Sequence, residues 1–192
     1  MKLVCIGDSL TRGFEVRRDE VWTALLQRDQ NIEVVNRGIN GDTTGGMLAR
    51  FQRDVLEEKP SHGLIMGGIN DLIMGAPLGG IMANLMAMLH QAAAKGIVPI
   101  MGIPISPRPL EAEIHWSGIT DFKQVAQEST ELRNQLLKLC KAFRIQGIDF
   151  YLAFQQVEAR EPGVKLYLDG LHPTVRGNQM MAEAALREIR RG

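Results

Sequence analysis

Two short segments at opposite ends of the chain carry residue types suited to nucleophilic chemistry. The sequence Gly-Asp-Ser-Leu at 7–10 presents a hydroxyl, and Asp-Gly-Leu-His-Pro at 169–173 presents a carboxylate three residues before an imidazole. A serine hydroxyl attacks a carbonyl only when a base takes its proton, and a histidine held by a carboxylate is such a base. The two segments together predict Ser9 as nucleophile, His172 as its base and Asp169 as the group that orients the imidazole.

Two segments in the middle of the chain add donors suited to binding an anion. Glycines in 36–44 and 67–71 let backbone N–H groups approach a ligand closely, and Asn70 adds a side-chain amide. If the strands before these segments are neighbours, about 4.8 Å apart, then the N–H groups of Ser9 and Gly41 and the Asn70 amide can converge on one oxygen. Such donors form an oxyanion hole, which stabilises the charge that develops on an attacked carbonyl.

Each segment also has an ordinary structural interpretation. Asp8, Ser9 or Asn70 can cap a helix, and Asp169 can form an Asx-type turn ahead of a helix that starts near Pro173. One segment alone is therefore weak support for chemistry. The catalytic interpretation requires the four segments to meet in the folded protein. The imidazole of His172 must then lie within hydrogen-bond reach of the Ser9 hydroxyl, directly or through one water.

The elements that must position these residues alternate between strands and helices. Short, nearly continuous apolar runs predict strands covered on both faces, and longer runs with helical periodicity separate them. The predicted strands are Lys2–Ile6, Ile32–Asn36, Gly63–Met66, Ile97–Gly102 and Gly147–Tyr151. The predicted helices are Glu20–Arg28, Thr44–Glu57, Gly80–Lys95, Thr120–Phe143 and Thr174–Arg190. The alternation predicts an α/β fold, a three-layer α/β/α sandwich around a parallel sheet whose first strand lies between the second and third.

Size and charge narrow the classes of partner. A chain of 192 residues suffices for one domain, predicted to span 1–192, and 45% hydrophobic residues exclude a disordered chain. Basic and acidic groups are equal in number, 22 each, and no basic run occurs. The sequence therefore lacks the electrostatic signature of a nucleic-acid or anionic-lipid binder and favours a small neutral or amphiphilic partner.

The expected location is cytoplasmic. Cys5 and Cys140 lie in apolar patterns, as free cysteines do in a reducing compartment, and the chain enters its first strand directly after Met1. The uncharged stretch Leu72–Ala94 is interrupted by glycines, a proline and amides, which a bilayer core penalises. We interpret it as a loop and a buried helix, with no integral membrane segment.

The four segments, in their order and in their positions after strands, resemble the four sequence blocks of the SGNH (GDSL) hydrolase family. The resemblance spans almost the whole chain. It implies a flavodoxin-like five-stranded parallel sheet of order 2-1-3-4-5, no cofactor, and hydrolysis of carboxylic esters through an acyl-enzyme on Ser9. It further implies His172 as general base and acid, Asp169 as its orienting residue, and Ser9, Gly41 and Asn70 as oxyanion donors. Size and block spacing are similar to compact bacterial members with esterase, lysophospholipase and thioesterase-like activity.

Candidate substrate-binding residues flank these segments. The loop Pro104–Ile119, after the fourth predicted strand, carries His115 and Trp116 as a wall for an acyl or leaving group, or else is a long surface connection. Met74 gives an apolar character to the segment opposite, and Asp8 adjoins the nucleophile. A small or medium acyl ester is the expected substrate.

Other functions stay open. A carbohydrate-ester deacetylase or a thioesterase would use the same residues, a non-catalytic binding module would keep the fold, and a phosphate or nucleotide binder would use the helix start at Gly41–Gly46. The chain lacks a Gly-x-Ser-x-Gly elbow and a Gly-x-Gly-x-x-Gly loop after the first strand. His62, His90 and His115 show no metal-ligand spacing, so no metal is expected. A homo-oligomer is left open.

Overall fold

One five-stranded parallel sheet organises the molecule. The computed structural model describes residues 1–29 and 31–191 of the chain. The strands are β1 (Lys2–Gly7), β2 (Glu33–Gly38), β3 (His62–Met66), β4 (Val98–Ile103) and β5 (Gln146–Asp149). Their order across the sheet is β2-β1-β3-β4-β5, so the predicted fold class and strand order are confirmed.

The strand register brings three of the four polar segments to one level. Gly7 at the end of β1 pairs with Gly38 at the end of β2 and with Met66 at the end of β3. The chain leaves all three strands at the same edge, and the N–H of Ile39 donates to the Gly7 carbonyl at 3.0 Å. Loops after adjacent parallel strands therefore start side by side, which is where open α/β sheets bind their ligands.

Helices cover both faces of the sheet. They are α1 (Ser9–Arg12), α2 (Trp22–Leu26), α3 (Thr44–Phe51), α4 (Ile69–Ile73), α5 (Leu78–Ala94), α6 (Pro109–His115), α7 (Phe122–Phe143), α8 (Phe150–Arg160) and α9 (Val175–Ile189), and α3 continues as a π-helical turn over Gln52–Leu56. Side chains of α1, α2, α8 and α9 form one core, and those of α3, α5 and α7 form the other.

The central strand shows why its sequence is apolar at every position. Successive side chains of a strand point to opposite faces, so Leu3 and Cys5 enter one core and Val4 and Ile6 enter the other. All four are fully buried. A strand covered on both faces must be hydrophobic throughout, and this β1 fixes the position of the segment that follows it.

Two helices lie where the sequence predicts a strand end and a loop. The Asp149 carboxylate accepts the Leu152 N–H at 2.9 Å and starts α8, so Phe150 and Tyr151 are helical rather than part of the fifth strand. An apolar run that crosses from strand to helix without glycine or proline hides that junction. The predicted loop after β4 contains α6, which Pro109 begins at a position where a missing N–H costs nothing.

Candidate active site

Ser9 lies at the end of the central strand. It is the first residue of α1, and the side chain of Asp8 caps this helix by accepting the Leu10 N–H at 2.9 Å. The indole N–H of Trp22 donates to the Leu10 carbonyl at 2.8 Å and ties α1 to the core. The Asp8 cap predicted from the sequence is therefore present, and it holds Ser9 at the edge of the sheet.

The last polar segment returns to Ser9. His172 Nε2 lies 2.9 Å from Ser9 Oγ, and His172 Nδ1 lies 2.7 Å from Asp169 Oδ2. The other carboxylate oxygen, Asp169 Oδ1, accepts the backbone N–H groups of Leu171 and His172 at 2.9 and 2.8 Å. With Nδ1 protonated toward the carboxylate, Nε2 is the acceptor for the serine hydroxyl. The distance on which the catalytic interpretation depends is that of a direct hydrogen bond.

The carboxylate of Asp169 is ionised across the physiological range. Its partial burial acts to raise the pKa, but the hydrogen bonds from the His172 ring and from two backbone N–H groups outweigh burial and lower the pKa to about 2. A permanent negative charge beside Nδ1 stabilises the imidazolium that forms when His172 accepts a proton.

The return path of the chain explains how a residue that follows β5 reaches β1. After α8 the segment runs back to the carboxyl edge, where the Tyr167 hydroxyl donates to the Ser106 carbonyl at 2.9 Å. The Leu168 N–H donates to the His172 carbonyl at 2.8 Å and closes the turn. Gly170 sits in this turn at φ +83°, a conformation that glycine adopts without strain.

The predicted anion-binding donors border the same place. Gly41, with φ +74°, and Asn70, in the first turn of α4, line one cavity together with Ser9 and His172. Asn70 Nδ2 donates to the Asp42 carbonyl at 2.9 Å and lies 3.4 Å from Asp8 Oδ2. The structure thus brings the four segments together at one edge of the sheet, as the sequence predicts.

The comparisons with known proteins agree with this geometry. Residues 5–180 match the model of the GDSL-like lipase/acylhydrolase family. The chain belongs to this family. It is 30% identical to esterase TesA of Pseudomonas aeruginosa over 94% of this chain and 84% of that protein, and 28% identical to an acetylxylan esterase of Geobacillus stearothermophilus over 98% and 93%. A solved lipolytic protein of the G-D-S-L family from Desulfitobacterium hafniense DCB-2 superposes with a TM-score of 0.79 at 29% identity, covering 97% of this chain and 98% of that one.

Family membership confirms two expectations. The resemblance to GDSL hydrolases is shown over most of the chain, and the class of serine ester hydrolase is shown with it.

An apolar cavity opens beside the serine of this GDSL hydrolase. Its volume is about 340 Å³, within the range of about 300–1,000 Å³ that ligand pockets occupy. Its lining residues are Asp8, Ser9, Leu10, Phe14, Asn40, Gly41, Ile69, Asn70, Ile73, Trp116, Ile119, Phe122, Leu171 and His172. Two of the predicted substrate-binding residues, Asp8 and Trp116, are among them.

The other two predicted substrate-binding residues do not line this cavity. Met74 is 68% exposed and borders a neighbouring groove, and His115 is exposed and borders a polar hollow beside Arg108. Each is one residue away from a side chain that does line the cavity, Ile73 and Trp116. Neighbouring residues at a helix end point in different directions, so the composition of a segment does not show which of its side chains faces the site.

Aromatic packing around His172 was not predicted from the sequence. The Phe14 ring stacks on the imidazole, with ring centroids 4.1 Å apart and planes at 29°. Phe14 follows α1 by two residues, and nothing in its local pattern distinguishes it from a core residue. Its contact with a residue near the other end of the chain exists only in the folded molecule.

Asp71 joins the second and third segments of the site. It is buried, and its two carboxylate oxygens accept the Thr44 N–H at 2.9 Å and the Thr44 hydroxyl at 2.6 Å. Asp42 also sits at the start of α3 and accepts the Thr43 N–H at 3.0 Å. Two carboxylates beside this helix start make it unsuitable for a phosphate, which disfavours the nucleotide-binding alternative.

Arg50 bonds the segment that carries Gly41 to the sheet. Its side chain is 9% exposed, and it donates to Asp42 Oδ2 at 2.8 Å, to Asp54 Oδ2 at 2.8 Å and to the Gly7 carbonyl at 3.0 Å. A further bond reaches the Arg37 carbonyl at 2.8 Å. One guanidinium therefore links the ends of β1 and β2 to the residue after Gly41. The sequence did not show this role, because only the folded sheet brings the carbonyls of Gly7 and Arg37 to Arg50.

Within residues 1–29 and 31–191, no group of three or more His, Cys, Asp and Glu side chains is placed to hold a metal ion. Over the same residues, no helix has both the length and the apolar character needed to cross a membrane.

Proposed function

We propose that the chain hydrolyses small or medium acyl esters through an acyl-enzyme on Ser9. The observation that carries the proposal is the hydrogen-bonded series Ser9–His172–Asp169, with heavy-atom distances of 2.9 and 2.7 Å, at the mouth of an apolar cavity. These distances are those of a nucleophile, its base and the group that orients the base.

The proposed reaction has two steps. Ser9 Oγ attacks the ester carbonyl while its proton passes to His172 Nε2, and the imidazolium then protonates the leaving alcohol as the C–O bond breaks. In the second step His172 takes a proton from water, the hydroxide attacks the acyl-enzyme carbonyl, and the proton returns to Ser9 Oγ as the carboxylic acid leaves. The charge of Asp169 stabilises the imidazolium in both steps.

The oxyanion is proposed to bind between Ser9, Gly41 and Asn70. Asn70 Nδ2 carries two hydrogens, and its bond to the Asp42 carbonyl fixes the orientation of the amide. The longer 3.4 Å contact to Asp8 Oδ2 is the one that a substrate oxygen replaces. Donors oriented before the reaction stabilise developing charge without the cost of reorganisation.

We propose that the size of the cavity limits the length of the acyl chain. Phe14, Ile73, Phe122 and Leu171 give it an apolar wall, and its volume of about 340 Å³ suits a small or medium chain. A carbohydrate acetate is the second candidate, because the similarity to the acetylxylan esterase extends over nearly the whole of both chains. A panel of acyl donors that includes sugar acetates and acyl thioesters separates these substrates.

The test of the proposal is covalent labelling. A fluorophosphonate should modify Ser9, located by mass spectrometry of peptides, and an ester such as p-nitrophenyl butyrate should be hydrolysed. Ser9→Ala should abolish both, and His172→Ala should lower activity by several orders of magnitude.

The matched control is Ser117→Ala. Ser117 is an exposed hydroxyl next to the cavity residue Trp116, and its removal should leave labelling and turnover unchanged. Labelling of Ser9 that does not require His172, or full turnover by Ser9→Ala, would show that the proposed mechanism is wrong. A protein without labelling or turnover would instead be a binding module with this fold.

A cytoplasmic location stays a prediction and belongs to the same proposal. Cys5 and Cys140 are free, buried thiols, one in each core, which supports a reducing compartment. Fractionation of the native cells, with detection of the protein in each fraction, tests it.

A further inference from the structure

Asp169 has a partner besides His172. The indole N–H of Trp116 donates to Asp169 Oδ2 at 3.1 Å, the same oxygen that lies 2.7 Å from His172 Nδ1. With the backbone N–H groups of Leu171 and His172 on Oδ1, this carboxylate has two partners on each oxygen. An indole is a donor only, so a half-buried Trp116 needs an acceptor, and here the acceptor is the carboxylate next to the base.

Trp116 is also part of the wall of the substrate cavity. Its ring lies 5.9 Å from the His172 ring and 6.3 Å from the Phe14 ring, centroid to centroid. With Phe14 stacked on the imidazole, the two aromatic rings enclose His172 on the cavity side. One side chain therefore contacts both the space where an acyl group would lie and the charge that supports the base.

The helix before Trp116 holds the Asp169 turn at a second point. Arg108, the residue before α6, donates its N–H to the Gly170 carbonyl at 2.8 Å. A Cβ added to Gly170 would lie 2.3 Å from the Ala112 nitrogen, which shows how closely α6 packs on this turn. The two ends of α6 thus bond to adjacent residues, Gly170 through Arg108 and Asp169 through Trp116.

We propose that Trp116 is a positioning residue, which acts on the reaction through Asp169. The inference rests on the proposed function. The indole N–H prevents the carboxylate from rotating, which keeps Oδ2 aimed at His172 Nδ1. It also takes up part of the negative charge, so the carboxylate stabilises the imidazolium less than an unshared carboxylate would. Since the same ring borders the cavity, a displacement of Trp116 by the acyl group would also change the orientation of Asp169 and His172.

The first test is the kinetics of Trp116→Phe, which removes the N–H and keeps an aromatic wall. With an acetate ester, kcat should fall by about three- to tenfold, as expected for one hydrogen bond, because the lost orientation of the carboxylate outweighs its stronger charge. KM should stay within about twofold because the wall is retained. The acid limb of the kcat/KM profile should move to higher pH, since the unshared charge of Asp169 stabilises the imidazolium more strongly.

Trp116→Leu is the matched comparison, because it removes both the N–H and the ring. It should show the same loss of kcat and the same displacement of the acid limb as Trp116→Phe, and it alone should raise KM for longer acyl esters. A Trp116→Phe variant that keeps the wild-type kcat and acid limb, or that changes only KM, would show that Trp116 is a wall and nothing more.

The second test requires no measurement of turnover. A Trp116 variant is used only to assign the indole signal of Trp116. The chain has two tryptophans, Trp22 and Trp116, so the indole region of a ¹⁵N–¹H spectrum should hold two signals. Asp169→Asn should shift the Trp116 signal and leave that of Trp22, which donates to the Leu10 carbonyl, in place. An unmoved Trp116 signal would overturn the inference.

The failures of the two proposals are distinguishable. Absence of Ser9 labelling and of turnover in the wild-type protein overturns the proposed function. An active, labelled wild-type protein whose Trp116→Phe variant is kinetically unchanged overturns the inference about Trp116 alone.

Discussion

At the scale of single residues, two aspartates near the Ser9 hydroxyl have opposite ionisation behaviour. Burial raises the pKa of Asp8 to about 7, with one backbone hydrogen bond from Leu10 and the nearby His172 opposing the rise, whereas hydrogen bonds lower the pKa of Asp169 to about 2 despite its partial burial. Asp42 and Asp71 push the pKa of Asp8 further up. The balance between burial and the donors aimed at each carboxylate therefore decides its charge.

The raised pKa of Asp8 predicts a pH-dependent gain of stability for Asp8→Asn. In the unfolded chain the carboxyl ionises near its ordinary value of 3.8, while in the folded protein it stays protonated up to about 7. Wild-type stability is therefore lost as pH rises from about 4 to 7, by up to about 4 kcal/mol. Asparagine keeps the acceptor for the Leu10 N–H and avoids this loss, so urea unfolding should show the variant more stable at pH 8 by about 2–4 kcal/mol and similar at pH 4.

The comparison variant for that experiment is Asp169→Asn, for which the effect of pH on stability has the opposite sign. Because the pKa of Asp169 is lowered in the folded protein, its charge stabilises the fold above the ordinary carboxyl pKa, and this stabilisation is lost as pH falls toward 2. The variant should be less stable than wild type at pH 7, with a difference that shrinks in acid. If Asp8→Asn and wild type differed in unfolding free energy by the same amount at every pH, burial would not be what raises the pKa of Asp8.

At the scale of elements, the site depends on three loop–helix junctions held together by side chains rather than by the sheet alone. The caps of α1 and α3 by Asp8 and Thr43 fix the local turns. Arg50 and Asp71 then join the separate turns to one another through buried, charge-assisted hydrogen bonds. Local capping determines the shape of each loop, and these longer-range bonds determine the spacing between loops.

Removal of Arg50 is therefore expected to affect both stability and catalysis. Arg50→Met leaves Asp42 and Asp54 without their buried partner, and breaking a buried pair costs about 3–5 kcal/mol. The loop that carries Gly41 also loses its brace, so kcat should fall in the fraction that remains folded. Urea unfolding measures the loss of stability. The turnover rate divided by the number of sites titrated with the fluorophosphonate measures kcat.

Arg53→Met is the matched control. Arg53 also contacts Asp54, at 2.6 Å, but its side chain is 70% exposed, and an exposed ion pair contributes about 0–1 kcal/mol. This variant should keep kcat and lose at most a small part of the stability. If both variants behaved alike, the buried network around Arg50 would not be what positions the loop that carries Gly41.

At the scale of the whole molecule, the cavity beside Ser9 is assembled from nearly the full length of the chain. Its apolar wall combines Phe14 after β1, Ile73 in α4, Phe122 in α7 and Leu171 before α9. No single element forms the wall. The shape of this cavity is therefore a property of the tertiary structure, and so is any limit it sets on acyl-chain length.

A series of p-nitrophenyl esters from acetate to laurate should show this property. Each added methylene that enters the cavity should raise kcat/KM by up to about fourfold, the equivalent of about 0.8 kcal/mol, until the cavity is full. Ile73→Ala should shift the optimum to a longer chain because it deepens the cavity. Met74→Ala, at the neighbouring exposed position, should leave the profile unchanged, and a shift of equal size in both variants would contradict the assigned wall.

Local pattern in the sequence is enough to predict the sheet and the meeting of its polar segments. Continuous apolar strands alternating with helices require a parallel sheet, and polar turns directly after neighbouring strands must share one edge, so the positions of Ser9, Gly41 and Asn70 follow from local pattern. The Asp169–His172 turn is also readable locally, as an Asx-type turn before a helix. Its approach to Ser9 was supplied by the family resemblance, because pattern alone does not give the return path.

The surroundings of these residues, in contrast, depend on how the chain folds. The roles of Arg50, Phe14 and Trp116 arise from partners many positions away, and the direction of a side chain at a helix end separates Ile73 from Met74 and Trp116 from His115. Local sequence encodes backbone conformation through capping and periodicity. Long-range contacts depend instead on how the helices pack on the sheet, and one helical residue turns a side chain by about 100°, from the cavity to solvent.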